Sequence, residues 1–392
     1  MTRHEPSRRE FLATSAIGLL GITGIARRSW WNDDSELLYV GTYTEAGRTD
    51  GIYLVQFDTR TGALRQIGAV NAGANPSFLA LHPNGRVLYA VNEVEEREGK
   101  KAGGVSAFGI GANGELTRIN EQSSEGGAPC YVSVDRRGRS VLVANYLGGN
   151  VALLPIRANG ALVTAAHVDQ HTGKGPNAER QEGPHAHCVM PDPANRFALA
   201  ADLGNDRVIV YRIAADGRSL THLEKNDAAM RAGAGPRHIA FHPRLPLVYV
   251  ANELDSTVTT LQFDRAKGTL ETLDSRSTLP ADWKGTSFVA DIHLPSSGNA
   301  LYVSNRGHNS IAVFSVAPRT GALALRDTVS TQGDWPRNFG LDPTERWLLV
   351  ANQRSGSIIV FARDRASGRL TATNQRIELP SPVCLRFRSQ AG

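Results

Sequence analysis

Pro236-Arg-His-Ile-Ala-Phe-His-Pro243, continued by Leu247-Val-Tyr-Val-Ala-Asn-Glu253, is the stretch whose reading decides the fold. Apolar residues alternate through Ile239 and Phe241, a proline-bearing turn follows, and a mostly apolar run closes on the polar pair Asn252-Glu253. That pattern predicts two antiparallel strands. Pro76-Ser-Phe-Leu-Ala-Leu81, Pro129-Cys-Tyr-Val-Ser-Val134 and Pro336-Arg-Asn-Phe-Gly-Leu341 repeat its first half. The end of its second half recurs at Thr42, Glu93, Tyr146, Leu203, Glu253, Arg306 and Gln353, at intervals of 51, 53, 57, 50, 53 and 47 residues. A loose period of this size belongs to propellers and solenoids.

Each unit carries two further segments. A third strand alternates, as in Ser310-Ile-Ala-Val-Phe314 and Ser357-Ile-Ile-Val-Phe361. A fourth is entered through a glycine turn and a leucine, as in Thr61-Gly-Ala-Leu64, Asn113-Gly-Glu-Leu116, Thr320-Gly-Ala-Leu323 and Ser367-Gly-Arg-Leu370. Four antiparallel strands per unit make a propeller blade, so the chain reads as an all-β, seven-bladed β-propeller. The first unit lacks its first strand, and Pro382-Val-Cys-Leu-Arg-Phe387 supplies that pattern at the other end with no second strand after it. A C-terminal strand completing the N-terminal blade would close the ring and remove its free edges. The longest polar, glycine-rich excursions, Glu95 to Gly104 and Thr172 to Gly183, read as surface loops able to rim a site.

The chain has 392 residues, 41% hydrophobic and 21% charged, and can bury a large core. Its net charge of +5 comes mostly from scattered arginines without interleaved aromatics, which argues against nucleic acid as a partner. Cys130, Cys188 and Cys384 are too widely spaced for a zinc motif or a disulfide framework. Residues 1–26 resemble a twin-arginine export signal: Ser7-Arg-Arg-Glu-Phe-Leu12, an apolar run to Ile25, and the small-x-small triplet Gly24-Ile-Ala26. The run is shorter than the ~20 residues a membrane span needs, so no stable insertion is expected once the signal is removed. The expected organisation is a signal over 1–26, a linker over 27–36 and the propeller over 37–392, in a periplasmic or secreted protein.

In a propeller the starts of first strands and the ends of second strands meet at one mouth of the central channel. The second-strand ring there holds Glu93, Tyr146, Glu253 and Arg306, and the first-strand ring holds Ser77, Cys130, His187, Arg237 and Arg337. Half-buried arginines and glutamates are costly unless paired or used, which makes this ring the candidate site. A structural salt bridge between Arg237 and Glu253 is the plainer alternative. His185 and His187 could begin a metal site with Asp202 or Asp291, but two residues on one strand provide only two ligands, and no metal is expected. His82, His238 and His242 flank turns and read as structural. Asn92, Asn145, Asn252, Asn305 and Asn352 recur at one blade position and read as turn caps.

Tyr39-Val-Gly-Thr-Tyr43, Pro184-His-Ala-His187, Gly235-Pro-Arg-His-Ile-Ala-Phe241, Ala251-Asn-Glu253, Ser304-Asn-Arg-Gly-His308 and Asn338-Phe-Gly-Leu-Asp342 together resemble the seven-bladed propeller lactonases, over residues 37 to 388. That family includes a bacterial 6-phosphogluconolactonase and the fungal carboxymuconate-lactonizing enzyme. The resemblance implies an active site of His187, Arg237, Glu253 and Arg306. Lactone hydrolysis needs an activated water, a stabilised oxyanion and a protonated leaving alkoxide. On this basis Glu253 is expected as the base and His187 as the acid or shuttle, with His185 an alternative to it. Arg237 and Arg306 would clamp the anion, and His185, Arg337, Glu93 and Tyr146 would line the substrate pocket. The expected partner is a small anionic lactone or organic acid, with no cofactor. Export counts against a cytoplasmic phosphorylated lactone more than against lactone hydrolysis. A muconate-type lactonizing enzyme and a non-catalytic binding propeller remain the alternatives. GxSxG, HExxH and phosphate-loop motifs are absent.

Overall fold

The computed structural model describes residues 34–44, 48–97 and 99–390. Seven antiparallel sheets follow one another along the chain, each with four strands in a simple meander. The fourth sheet carries an extra two-residue strand, Ala228–Ala229, against its third strand. The first blade takes Ser35–Thr42, Ile52–Asp58 and Leu64–Val70 from the N-terminal side. Its innermost strand is Pro382–Phe387, antiparallel to Ser35–Thr42 with Leu38 opposite Phe387 and Gly41 opposite Cys384. The closing strand is therefore where the sequence places it. The first strand begins at Ser35, two residues before the expected start of the propeller; the expected signal over 1–26 and the linker up to residue 33 lie outside the described residues.

Burial explains the strand types. Second strands such as Val87–Asn92, Ser140–Asn145 and Leu247–Asn252 are buried at every position, because neighbouring blades cover both faces of the sheet. Outer strands such as Leu270–Ser277 are mostly exposed or half-buried and carry polar residues. Adjacent blades are locked by a repeated device. A second-strand tyrosine donates its hydroxyl to the carbonyl of the turn glycine in the next blade: Tyr39 to Gly114 (2.9 Å), Tyr89 to Gly160 (3.0 Å), Tyr249 to Gly321 (2.8 Å) and Tyr302 to Gly368 (2.6 Å). Those glycines have φ between 69° and 87°, a region that side chains disfavour. Each such bond contributes on the order of 1 kcal/mol to the ring.

Below the mouth the channel is packed. Phe78 meets Tyr131 at 4.2 Å between ring centroids, and Tyr131 meets His238 at 5.2 Å. Asp291 of the sixth blade accepts from His238 Nδ1 (2.8 Å), His293 Nε2 (2.9 Å) and the Asn338 amide, joining blades five, six and seven. His238 is structural, as expected, and acts from the inner strand Pro236–Phe241, where it bonds Asp291 rather than a turn. His82 and His242 do hold turns, accepting at Nδ1 from the backbone N–H of Asn84 and of Arg244 and Leu245.

Candidate functional site

The inner strands share one irregularity at the mouth. Pairing with the second strand skips a residue between Pro129 and Tyr131, Ala186 and Cys188, Pro236 and His238, and Pro336 and Asn338. The residues left over are Cys130, His187, Arg237 and Arg337. A bulge leaves its extra residue out of the ladder and re-aims its side chain. Four of the five inner-strand members of the expected ring are therefore bulge residues; Ser77 precedes its strand, which begins at Leu79. In the sixth blade the shift lies deeper, between Val289 and Ile292, and Phe288 pairs with Arg306 at the mouth.

Glu253, at the end of the fifth blade's second strand, is the hub. Arg237 Nε donates to its Oε2 at 2.9 Å, and Arg306 Nη2 approaches the same oxygen at 2.7 Å. Arg180 Nη2 donates to Oε1 at 2.6 Å. Burial would raise the Glu253 pKa, but Arg306, Arg237 and Arg180 outweigh it and hold the carboxyl well below the usual range. The arginines are held in turn. Arg237 Nη1 donates to Ala290 O and to His238 Nε2 (3.2 Å), whose Nδ1 faces Asp291. Arg306 Nη2 also donates to Val289 O (3.0 Å), and its guanidinium lies 5.4 Å from the centre of Trp335. Trp335 has φ 66°, costly for a bulky aromatic, at the kink before the inner-strand proline that Asn75, Ala128, Gly235 and Ser381 also form.

A second group faces this one. Glu93 accepts from the Tyr43 hydroxyl (2.8 Å) and from Ser77 Oγ, and Arg337 Nη2 stands 3.8 Å from its Oε1 with its guanidinium over the Tyr43 ring. His187 is buried, edge-on to His238 at 5.4 Å and to Tyr146 at 5.7 Å, with Nδ1 3.6 Å from the Cys130 sulfur. Burial first, then Arg237, His238 and Arg337, push its pKa well below 6.5, so the imidazole is neutral near pH 7. His185 stacks on Tyr146 at 4.4 Å, with Nδ1 2.9 Å from the Tyr146 carbonyl oxygen and Nε2 3.1 Å from Glu182.

These contacts bring all eight expected residues together, with Arg180 bridging Glu253 and Tyr146. The metal alternative loses its further ligands. Asp202 Oδ2 faces His171 Nδ1 (2.5 Å) and its Oδ1 accepts the His185 backbone N–H, while Asp291 is taken up by His238, His293 and Asn338. The recurrent asparagines tie the mouth together. Asn92, Asn145, Asn305 and Asn352 donate to the carbonyls of Ala72, Ser124, Thr278 and Thr331 in the segments entering their blades, and Asn252 donates to Thr257 and Thr259. Sequence reasoning missed Tyr43 and, more consequentially, Arg180. Arg180 occupies no blade position. Its only signal is its place in the polar excursion Thr172 to Gly183.

The chain is similar to known proteins over most of its length. Residues 37–387 match the family model described as lactonase, 7-bladed beta-propeller. The 6-phosphogluconolactonase of Bacillus subtilis is 41% identical over 353 residues, covering 90% of this chain and 98% of that protein. The 6-phosphogluconolactonase of Formosa agariphila is 33% identical over 346 residues, covering 87% and 96%. The solved structure of a periplasmic gluconolactonase from Pseudomonas aeruginosa superposes with a TM-score of 0.84 at 34% identity, covering 90% of this chain and 99% of that one.

Proposed function

The chain belongs to the seven-bladed β-propeller lactonase family, and on that premise we propose that it hydrolyses a small lactone bearing an anionic group at the channel mouth built around Glu253. The observation that carries the reading is the placement of buried Arg237 and Arg306 on one oxygen of Glu253, beside a neutral, buried His187. Glu253 orients the two guanidiniums, and their remaining N–H groups stabilise the oxyanion that forms on the lactone carbonyl. Arg337 binds the anionic substituent.

The roles of Glu253 and His187 differ from those expected of the sequence. A carboxylate held by three guanidiniums is a very weak base and its oxygens are occupied, whereas the neutral imidazole, although burial lowers its basicity, keeps a lone pair for the proton of a bound water. His187 takes the proton of the attacking water as the water oxygen bonds to the carbonyl carbon. The resulting imidazolium, made acidic by its buried, cationic surroundings, returns that proton to the ring oxygen as the C–O bond breaks. Water is consumed, and the product is the hydroxy acid. Among the described residues the exposed large apolar side chains Ile67, Leu147, Val168, Leu273, Trp283 and Leu325 are dispersed over several blades, which lends the binding-propeller alternative no support.

The test is a panel of sugar and organic-acid lactones assayed with and without chelator, alongside an unsaturated open-chain diacid to detect ring closure. Hydrolysis unaffected by chelator and lost in Arg306→Ala supports the reading. Turnover of the diacid alone replaces hydrolysis with lactonization. Inactivity on the whole panel overturns both.

The paired arginines at the N-terminus direct export on this same reading, and the mature chain works outside the cytoplasm. Among the described residues no helix is long and apolar enough to cross a membrane. Cell fractionation with intact-mass measurement tests this: the periplasmic or secreted form should lack residues 1–26.

A further inference from the structure

Glu253 has more positive charge than it needs. Arg237 and Arg306 are buried with it, and either one balances its single charge. Arg180 adds a third guanidinium on the remaining oxygen, and its side chain is 34% exposed against 4% for Glu253. Arg180 is also the member of the trio that reaches the mouth from a loop. It spans the gap between blades, donating to the Tyr146 hydroxyl at 3.3 Å and lying 6.0 Å from the centre of the Phe288 ring.

The loop is built to hold that position. Gln181, fully buried, donates its side-chain amide to Leu203 O (2.8 Å) and accepts from the Asn177 backbone N–H (3.1 Å). Asn205 Nδ2 donates to Thr172 O at 3.1 Å. Immediately before the loop, His171 is buried between Asp202 (2.5 Å) and the Tyr211 hydroxyl (2.7 Å). Several anchors fix the backbone on either side of Arg180, while its long side chain retains access to solvent.

Resting on the hydrolytic reading above, we propose that Arg180 is a specificity-determining residue: its guanidinium, which caps Glu253, transfers to the anionic group of an incoming substrate and shares it with Arg337. The four arginines named at the mouth, Arg180, Arg237, Arg306 and Arg337, face Glu93 and Glu253, with Glu182 beside Arg180 at the rim, which leaves a surplus of one positive charge. The surplus draws an anion in, and the outermost guanidinium can follow it without unpairing Glu253, since the two buried arginines stay. An Arg–carboxylate or Arg–phosphate pair in a half-buried site is a strong, directional contact. A neutral lactone offers Arg180 no such exchange.

The experiment compares kcat/KM for a lactone carrying a carboxylate or phosphate with kcat/KM for uncharged glucono-1,5-lactone, in wild type, Arg180→Gln and Arg180→Lys. The charged-to-neutral ratio is expected to fall at least tenfold in Arg180→Gln, through KM for the charged substrate, and to recover partly in Arg180→Lys. An unchanged ratio overturns the inference, as does a loss shared equally by both substrates, which marks a purely structural arginine. Calorimetric titration with inorganic phosphate decides the matter separately. If wild type opens no lactone, the hydrolytic reading falls. Phosphate binding weakened at least tenfold in Arg180→Gln then still supports Arg180 as the anion contact, and equal binding refutes it.

Discussion

Arg237 and Glu253, 16 residues apart in sequence, stand 2.9 Å apart at the mouth, Nε to Oε2, at 2% and 3% exposure. The pair joins the start of one strand to the end of the next and holds a charge that two further arginines share. Replacing Glu253 by glutamine leaves those buried guanidiniums uncompensated. Breaking a buried ion pair from one side costs about 3–5 kcal/mol. Glu253→Gln is expected to lose stability of that order in urea unfolding and lactonase activity by at least ~100-fold. Full stability with reduced activity would show that Glu253 serves chemistry without organising the site.

Arg306 tests the geometry of the clamp. One of its nitrogens serves both Glu253 and Val289 O, and its plane lies against Trp335. Lysine keeps the charge and loses the planar fork. Arg306→Lys is expected to lower kcat by ~100-fold or more, comparable to removal of an oxyanion donor, with unchanged secondary structure by circular dichroism. Near-wild-type turnover would reduce Arg306 to a point charge.

As the proposed base, His187 would set the pH profile. Its active form is the neutral one, and burial, Arg237, His238 and Arg337 keep it neutral well below 6.5. The kcat/KM of wild type is therefore expected to stay flat as pH falls through 6.5, with its acid limb at lower pH, and His187→Asn should lose turnover at every pH. An acid limb centred at 6.5 or above would remove His187 as the base.

His238 has a separate signature in stability. Burial first, then Arg237, push its pKa down to about 4, against the partial opposition of Asp291. Between pH 6.5 and 4 the unfolded chain then binds a proton at this histidine that the folded chain does not, so stability falls as pH falls across that window. His238 contributes about 3 kcal/mol to this loss, and none of its share remains below the folded value. His238→Asn is expected to flatten the dependence of unfolding free energy on pH by that amount. The same slope in mutant and wild type would assign the acid lability elsewhere.

Much of the site was legible in the repeat itself. Glu93, Tyr146, Glu253 and Arg306 occupy equivalent strand ends, and equivalent positions in a closed ring meet at one mouth whatever the side chains are. His238 was legible as structural, but its neighbourhood in sequence, two prolines and a turn, says nothing of Asp291, the partner it meets in the next blade. The pairing of Glu253 with three arginines was also out of reach, and with it the weak basicity of the carboxylate. Local pattern reports which residues share a rim; it does not report how many cations converge on one oxygen pair.

The sequence alone determined the seven blades and the closure of the first by Pro382–Phe387, because strand alternation and a period near 50 residues are local signals repeated seven times. Only the tertiary structure decided which way the bulge residues Cys130, His187, Arg237 and Arg337 are aimed, and that the loop before the fourth blade lays Arg180 on Glu253. A bulge is a register shift between two strands, and the Arg180 contact joins residues 73 apart. Both are relations between segments, settled when the blades pack and the charges find their partners.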